Sequence, residues 1–355
     1  MPKFHDEENR KNIQLLRGHL KEMPAFVAEF FRNKTDYSSS LTRLGYAYDL
    51  KLFFNFLVTE TLEFSDKTAK ELTLEDIGRI EVFHIEEFME YLSYYIRYSE
   101  KDGEIIEKEV SNAAEGKSRK LSAVKSMFAY FHQKGKVQSN PAELVSSLKL
   151  KEKAKIYLDV NEIANLLDEV DAGESLTPKQ RDYHIYNRSR DLALLSLFAG
   201  TGIRISEAVG LNLNDVNLED ESFRVVRKGG AEAILYFGPE VKEALAQYFV
   251  LRKQKKPKEG HEDALFLSLQ NRRITPRAVQ NLVKKYTSAI NSLKNITPHK
   301  LRTSFGTNMY RQTGDIYLVA DLLGHKDVNT TKKHYADTKD EAGRKAVRNY
   351  RLRED

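Results

Sequence analysis

The sequence predicts a mainly α-helical protein with a small β-hairpin or sheet, an α+β chain of two domains. Three observations predict it. Apolar residues recur at helical spacing through the first half. Two short β-rich runs flank a turn in the second half. The length, 355 residues, is long for one domain and comfortable for two.

In the first half, Leu41, Leu44, Tyr48, Leu52 and Phe56 form one helical stripe. Ile85, Phe88, Met89, Leu92 and Tyr95 form a second, and Leu121, Val124, Phe128 and Phe131 a third. With AFVAEFF near residue 25 this makes about four amphipathic helices, enough for a small bundle. The aromatic residues in these stripes read as core rather than as a base-stacking surface. Residues 99–116 are polar and read as a long loop or hairpin. Asn140-Pro141 marks a turn followed by a short helix, and SLKLKEKAKIYL reads as an extended linker, with the boundary near Glu152. The expected divisions are a polar extension over 1–24, a helical domain over 25–148, a basic linker over 149–157 and a second domain over 158–355.

In the second half, YLDVNEIANLLDEV reads as a helix capped by Asp159 or Asn161. RDLALLSLFAG is a buried helix ending at Gly200. Phe223–Val226 and Ile234–Phe237 bracket Arg227-Lys228-Gly229-Gly230 as a hairpin, and several helices follow.

Composition excludes several functions. Hydrophobic content is 41%, and no run approaches the ~18 apolar residues of a membrane span. The N-terminus lacks the apolar stretch of a signal peptide. The absence of cysteine removes disulfides, thiolate catalysis and Cys-type zinc sites, which fits a cytoplasmic protein. The net charge of +5 is weakly informative by itself, but its distribution says more. Lys117, Arg119, Lys120 and Lys125 cluster at a helix start, and Lys149, Lys151, Lys153 and Lys155 alternate through the connector. Residues so placed can neutralise phosphates, although ordinary solvated surface carries such clusters about as often.

Four segments carry candidate chemistry. In GTGIRISEAVGL, Arg204 opens a helix and Glu207 lies three residues on, on the same face. In ITPHKLRTSFGT, Thr297 is a natural N-cap and Pro298 a natural first helical residue. His299 and Arg302 then share one face near a helix N-terminus, an end that favours anions. In VADLLGHKDVNTTKKHYAD, Gly324 ends a helix that buries Val319, Leu322 and Leu323. His325 follows, and Asn329, Thr330 or Thr331 caps a helix carrying Tyr335. The fourth segment is the hairpin with Lys228 at its tip and Arg227 beside it. Each signal alone has an ordinary structural explanation, and Tyr335 is one of 18 tyrosines.

Their order is more specific. Arg-x-x-Glu, a hairpin lysine, His-x-x-Arg, Gly-His and a tyrosine ten residues later resemble the tyrosine recombinase (phage integrase-like) family. The first half is similar to that family's helical core-binding (SAM-like) domain, and the second to its catalytic domain. Thr303 departs from a histidine frequent in the family, and Gly306 from an alanine. The resemblance implies that Tyr335 attacks a DNA phosphate to form a 3′-phosphotyrosine link and free a 5′-hydroxyl. It implies that Arg204 and Arg302 clamp the non-bridging oxygens, Lys228 protonates the leaving oxygen and His299 serves as acid/base. His325 would hydrogen-bond the phosphate and Glu207 orient Arg204. A phenol with a pKa near 10 needs such help, and two always-charged guanidiniums suit the developing charge. No metal, ATP or other cofactor is then required.

Within the family the chain is similar to the Xer type, in the single-recombinase version of some Gram-positive bacteria. That implies resolution of chromosome dimers at a dif-like DNA site, by a tetramer, aided by an FtsK-type DNA translocase. Residues 340–355 read as a helix that either docks on a neighbouring protomer or packs on its own domain. A phage or transposon integrase uses the same residues, but often with an arm-binding domain, for which about 20 extra residues are too few. A DNA-binding regulator would leave no covalent adduct. A metal nuclease built on His299, His325 and His334 lacks a carboxylate at ligand spacing.

Overall fold

The computed structural model describes residues 4–101, 103–148, 155–227, 230–290, 294–324 and 327. The chain divides into two compact units, with the division between residues 153 and 154.

The first unit is a helical bundle. Helix α1 (Phe4–Leu20) is followed by α2 (Val27–Asn33) and α3 (Ser40–Glu60), which Ser39 caps by accepting from Thr42 N. The polar leader is part of this bundle. Asn12 Nδ2 donates to Ser40 Oγ (3.2 Å), Ser40 Oγ donates to Asn9 Oδ1 (2.7 Å), and Leu16 and Met23 enter the core.

The stripe on α3 lies on a different face from the expected one. Leu44 and Phe56 are buried as expected, but Leu41 and Tyr48 are exposed, and Ala47, Leu50, Phe53, Phe54 and Leu57 fill the core instead. Helix α3 is apolar around most of its circumference, so two stripes overlap and only packing selects between them.

Helices α4 (Leu74–Arg79) and α5 (Val82–Tyr91) follow. Helix α5 stops before Tyr95, which opens β1 (Tyr95–Lys101) instead of extending the helical stripe. Strand β1 pairs antiparallel with β2 (Glu104–Val110), so the polar segment is a hairpin. The β-favouring run Tyr95-Ile96-Arg97-Tyr98 accounts for the change. Helices α6 (Ala114–Gln133) and α7 (Pro141–Leu144) complete the unit. Phe30, Phe53, Phe54, Phe64, Phe88, Phe128 and Phe131 are fully buried, with edge-on contacts such as Phe26–Phe131 at 5.4 Å. The aromatic stripes are therefore core.

In the second unit, α8 (Val160–Ala172) starts at an Asp159–Glu162 capping box. Helix α9 (Pro178–Thr201) is much longer than its apolar run, because Thr177 and Pro178 start it about three turns before that run begins at Arg190. Then come α10 (Ile205–Gly210) and a three-stranded antiparallel sheet of β3 (Val216–Asn217), β4 (Ser222–Val226) and β5 (Glu232–Tyr236). Helices α11 (Pro239–Gln254), α12 (Pro276–Ile290), α13 (Pro298–Thr313) and α14 (Ile316–Leu323) follow. Helix α9 is the hub, packed against α8, α11 and α13. Among the described residues, no helix is long and apolar enough to cross a membrane.

A buried polar cluster joins α9 to α12. The Asp191 carboxylate, 1% exposed, accepts from Arg190 Nε (2.9 Å), Lys285 Nζ (3.2 Å) and Tyr286 Oη (2.9 Å). Burial first, and then the adjacent Asp191 charge, push the Tyr286 phenol far above its ordinary range. Tyr286 is therefore a permanent hydrogen-bond donor. Replacing Asp191 by Ala leaves Arg190 buried without its anion. Urea denaturation of the Asp191→Ala variant should show a loss of about 3–5 kcal/mol.

Candidate active site

Three chain segments meet at the end of α14. Helix α9 ends at Gly202, whose φ of +61° turns the chain into α10. Arg204 caps α10, and Glu207 folds back onto it. Glu207 Oε2 accepts from the Arg204 backbone N–H (3.0 Å), and Oε1 accepts from Arg204 Nη1 (2.9 Å). Glu207 is 4% exposed, while the Arg204 side chain is 35% exposed. A carboxylate fixed by packing therefore holds a guanidinium that reaches the surface.

Helix α13 supplies the second arginine. Thr297 caps it by accepting from Lys300 N (3.3 Å), with Pro298 in its first turn. His299 is exposed and Arg302, one turn on, is buried at 6%. Helix α13 is pinned where Ser304 Oγ accepts from Leu158 N (2.8 Å) and Asn308 Nδ2 donates to Leu158 O (3.1 Å). Arg302 Nη1 donates to Gly202 O at 2.5 Å, and its Nη2 donates to Leu323 O. Arg204 Nη2 reaches the next carbonyl, Gly324 O, at 3.3 Å. The two guanidiniums thus meet on consecutive carbonyls at the C-terminus of α14, where helical C=O groups lack intrahelical donors. Gly324 caps α14 in the left-handed conformation, and Val319 and Leu323 are buried while Leu322 is partly so.

The structure therefore brings Arg204, Glu207 and Arg302 together, with His299 one turn from Arg302. Lys228, His325 and Tyr335 lie outside the described residues, as do residues 340–355. Of the other tyrosines, Tyr310 packs with Phe305, Val319 and Leu323 in a core cluster. Sequence reasoning did not foresee the part played by the carbonyls of Gly202, Leu323 and Gly324, because any residue carries a carbonyl.

The basic residues proposed to meet DNA divide by their partners. Lys120 is buried and donates to Asn112 Oδ1 (2.7 Å), because α6 turns that side chain inward. It is not a surface charge, which corrects its inclusion in the cluster. Arg119 is 55% exposed and paired with Asp49, itself nearly fully buried. Burial pushes the Asp49 carboxyl above its ordinary range, and the charges of Arg119 and Lys120 pull it back. Lys117 donates to Ser93 Oγ and Lys125 to Val145 O (2.7 Å). Lys155 is half-buried, and Lys149, Lys151 and Lys153 lie outside the described residues.

A guanidinium pair with an exposed imidazole one turn away, at the start of a helix, suits an anion with several oxygens. The phage integrase family profile matches residues 157–342, the whole of this site included. The chain belongs to the phage integrase family and is a tyrosine recombinase, an enzyme that cleaves and rejoins DNA through a tyrosine. It is similar to tyrosine recombinase XerC of Caldanaerobacter subterraneus subsp. tengcongensis, 33% identical over 95% of this chain and 89% of that one. It is also similar to tyrosine recombinase XerS of Lactococcus lactis subsp. cremoris, 29% identical over 92% and 94%. Among solved structures, XerH site-specific recombinase bound to palindromic difH substrate shares the fold. Its TM-score is 0.63 at 20% identity, covering 89% of this chain and 81% of that one.

Gly202 is the residue whose replacement tests this geometry. A β-carbon there would stand 2.6 Å from Phe305 Cδ1 and 2.9 Å from Leu323 Cδ2. Gly202→Ala should destabilise the second unit by about 1–3 kcal/mol, read as a lower melting temperature. Surviving protein should cleave DNA more slowly, because the carbonyl that seats Arg302 is displaced.

Proposed function

We propose that this chain is a Xer-type site-specific recombinase acting on a dif-like DNA site in the cytoplasm, and that it resolves chromosome dimers there as a tetramer with an FtsK-type translocase. The observation that carries the chemistry is the meeting of Arg204 and Arg302, distant in sequence, on the Leu323 and Gly324 carbonyls. The names of the XerC and XerS relatives, matched along almost the whole chain, support the narrower reading.

In this reading the scissile phosphate sits at the α14 turn. Arg204 and Arg302 bind its non-bridging oxygens, where charge grows as attack proceeds, and Glu207 holds Arg204 in place. Tyr335 attacks phosphorus, giving a 3′-phosphotyrosine link and a 5′-oxygen that Lys228 protonates. His299 serves as acid/base near the phenol, and His325 donates to the phosphate. The guanidiniums supply the positive charge that a metal supplies elsewhere. The phosphotyrosine keeps the bond energy for religation, so ATP has no role. Arg119, Lys117 and Lys125 of α6, with Lys149, Lys151, Lys153 and Lys155, contact the DNA backbone.

A nicked suicide duplex carrying the dif-like site tests the nucleophile. The wild-type protein should form a covalent protein–DNA adduct in EDTA, and Tyr335→Phe should form none. An adduct retained in that variant would refute Tyr335. Recombination of two such sites on one plasmid distinguishes dimer resolution from integration of a mobile element.

Residues 340–355 are proposed to dock on a neighbouring protomer. Their deletion should abolish strand exchange between paired sites. Undiminished tetramer assembly and recombination after deletion would count against docking.

A further inference from the structure

The β4–β5 hairpin carries two adjacent basic residues, Arg227 and Lys228, of which Arg227 is among the described residues. Arg227 closes the strand pair: its N–H donates to Ala231 O (2.8 Å) and its carbonyl accepts from Gly230 N (3.0 Å). Its side chain crosses to the end of α14. A β-carbon on Gly324 would stand 1.5 Å from Arg227 Nη1 and 2.1 Å from Cζ, so the guanidinium fills the space that a side chain at 324 would take. Gly324 is also the residue whose carbonyl accepts from Arg204, and the carbonyl before it accepts from Arg302. Three guanidiniums therefore converge on one turn.

Two physical features make this more than a packing contact. Three like charges in a half-buried site repel one another, and an anion seated among them relieves that repulsion. The Arg227 Nε is shielded from water, with no hydrogen-bond partner among the described residues. A shielded N–H without an acceptor is unfavourable, and a phosphate oxygen is the acceptor that the reaction brings.

We propose that Arg227 is a further catalytic residue, a third guanidinium that binds the scissile phosphate beside Arg204 and Arg302. The inference rests on the reading of this turn as the scissile-phosphate site. As the bond from Tyr335 Oη to phosphorus forms and the bond from phosphorus to the 5′-oxygen breaks, Arg227 stabilises charge on a non-bridging oxygen. It does not deliver the proton to the leaving oxygen, because a guanidinium does not deprotonate in proteins. That task stays with Lys228, so adjacent hairpin residues supply charge and proton separately.

Three versions of the scissile linkage in the suicide duplex separate these roles. One is the natural phosphodiester. The second is a methylphosphonate, in which a methyl group replaces a charged oxygen. The third has sulfur in place of the 5′-oxygen, a leaving group that needs no proton. Arg227→Gln should cleave the phosphodiester about 10- to 100-fold more slowly at saturating DNA, and Arg227→Lys should retain part of the rate. On the methylphosphonate, Arg227→Gln should match the wild-type protein. The sulfur linkage should rescue Lys228→Ala and leave Arg227→Gln slow.

Wild-type cleavage of the phosphodiester by Arg227→Gln would overturn the assignment. Rescue of that variant by sulfur would also overturn it, leaving Arg227 as a residue that only positions the hairpin. Loss of the folded state in both Arg227 variants, read by thermal melting, would make it structural and overturn it too. Normal cleavage by Arg204→Ala and Arg302→Ala would instead sink the underlying reading of the turn.

Discussion

Arg302 is a charged group held out of water by backbone carbonyls, and the geometry of the site depends on that arrangement. Burying a guanidinium costs several kcal/mol unless its N–H groups find acceptors. Here Gly202 O and Leu323 O provide them, from the ends of two different helices. Each hydrogen bond to a charged donor returns about 1.5–3 kcal/mol. The side chain therefore fixes α9, α13 and α14 relative to one another while presenting positive charge beside Arg204. Packing and electrostatics are carried by the same atoms.

The two helix-ending glycines make this approach possible. Gly202 turns α9 into α10 where a β-carbon would collide with Phe305 and Leu323, and Gly324 leaves room for Arg227. Both have positive φ, a conformation open to glycine at little cost. Glu207 adds the complementary constraint, a buried carboxylate that both caps α10 and orients Arg204. The result is a set of cations positioned by the folded chain before any anion arrives, which is how electrostatic stabilisation is most effective.

The first unit solves a different problem. Its aromatic core is dense and its basic helix, α6, is anchored from within. Arg119 rests on nearly buried Asp49, and Lys125 rests on the carbonyl of Val145. Cations held this way lose less side-chain entropy on meeting a phosphate than free ones would. Lys120 shows the limit of reading charge from sequence: it lies on the same helix as its basic neighbours, yet its ammonium is turned inward onto Asn112.

Local signals were enough for some of the helix starts, because caps act over three or four residues. Thr297-Pro298 and Asp159 were legible for that reason, as was the β4–β5 hairpin. The ordered residues Arg204, Lys228, His299, Arg302, His325 and Tyr335 were legible as a family pattern, since chemistry restricts which residue types serve. The buried face of α3 was not legible, because apolar residues surround that helix and only its neighbours choose among them. Nor was the point where α5 gives way to β1, since Tyr95 fits a helical stripe and a strand equally well. By itself, then, the sequence determined the class of fold, the helix starts at Asp159, Arg204 and Thr297, and the family of the reaction. Tertiary structure alone decided that Arg204, Arg302 and Arg227 converge on the Leu323–Gly324 turn, because the first two are seated by backbone carbonyls and the third by the space a side chain at Gly324 would fill, which no residue pattern encodes.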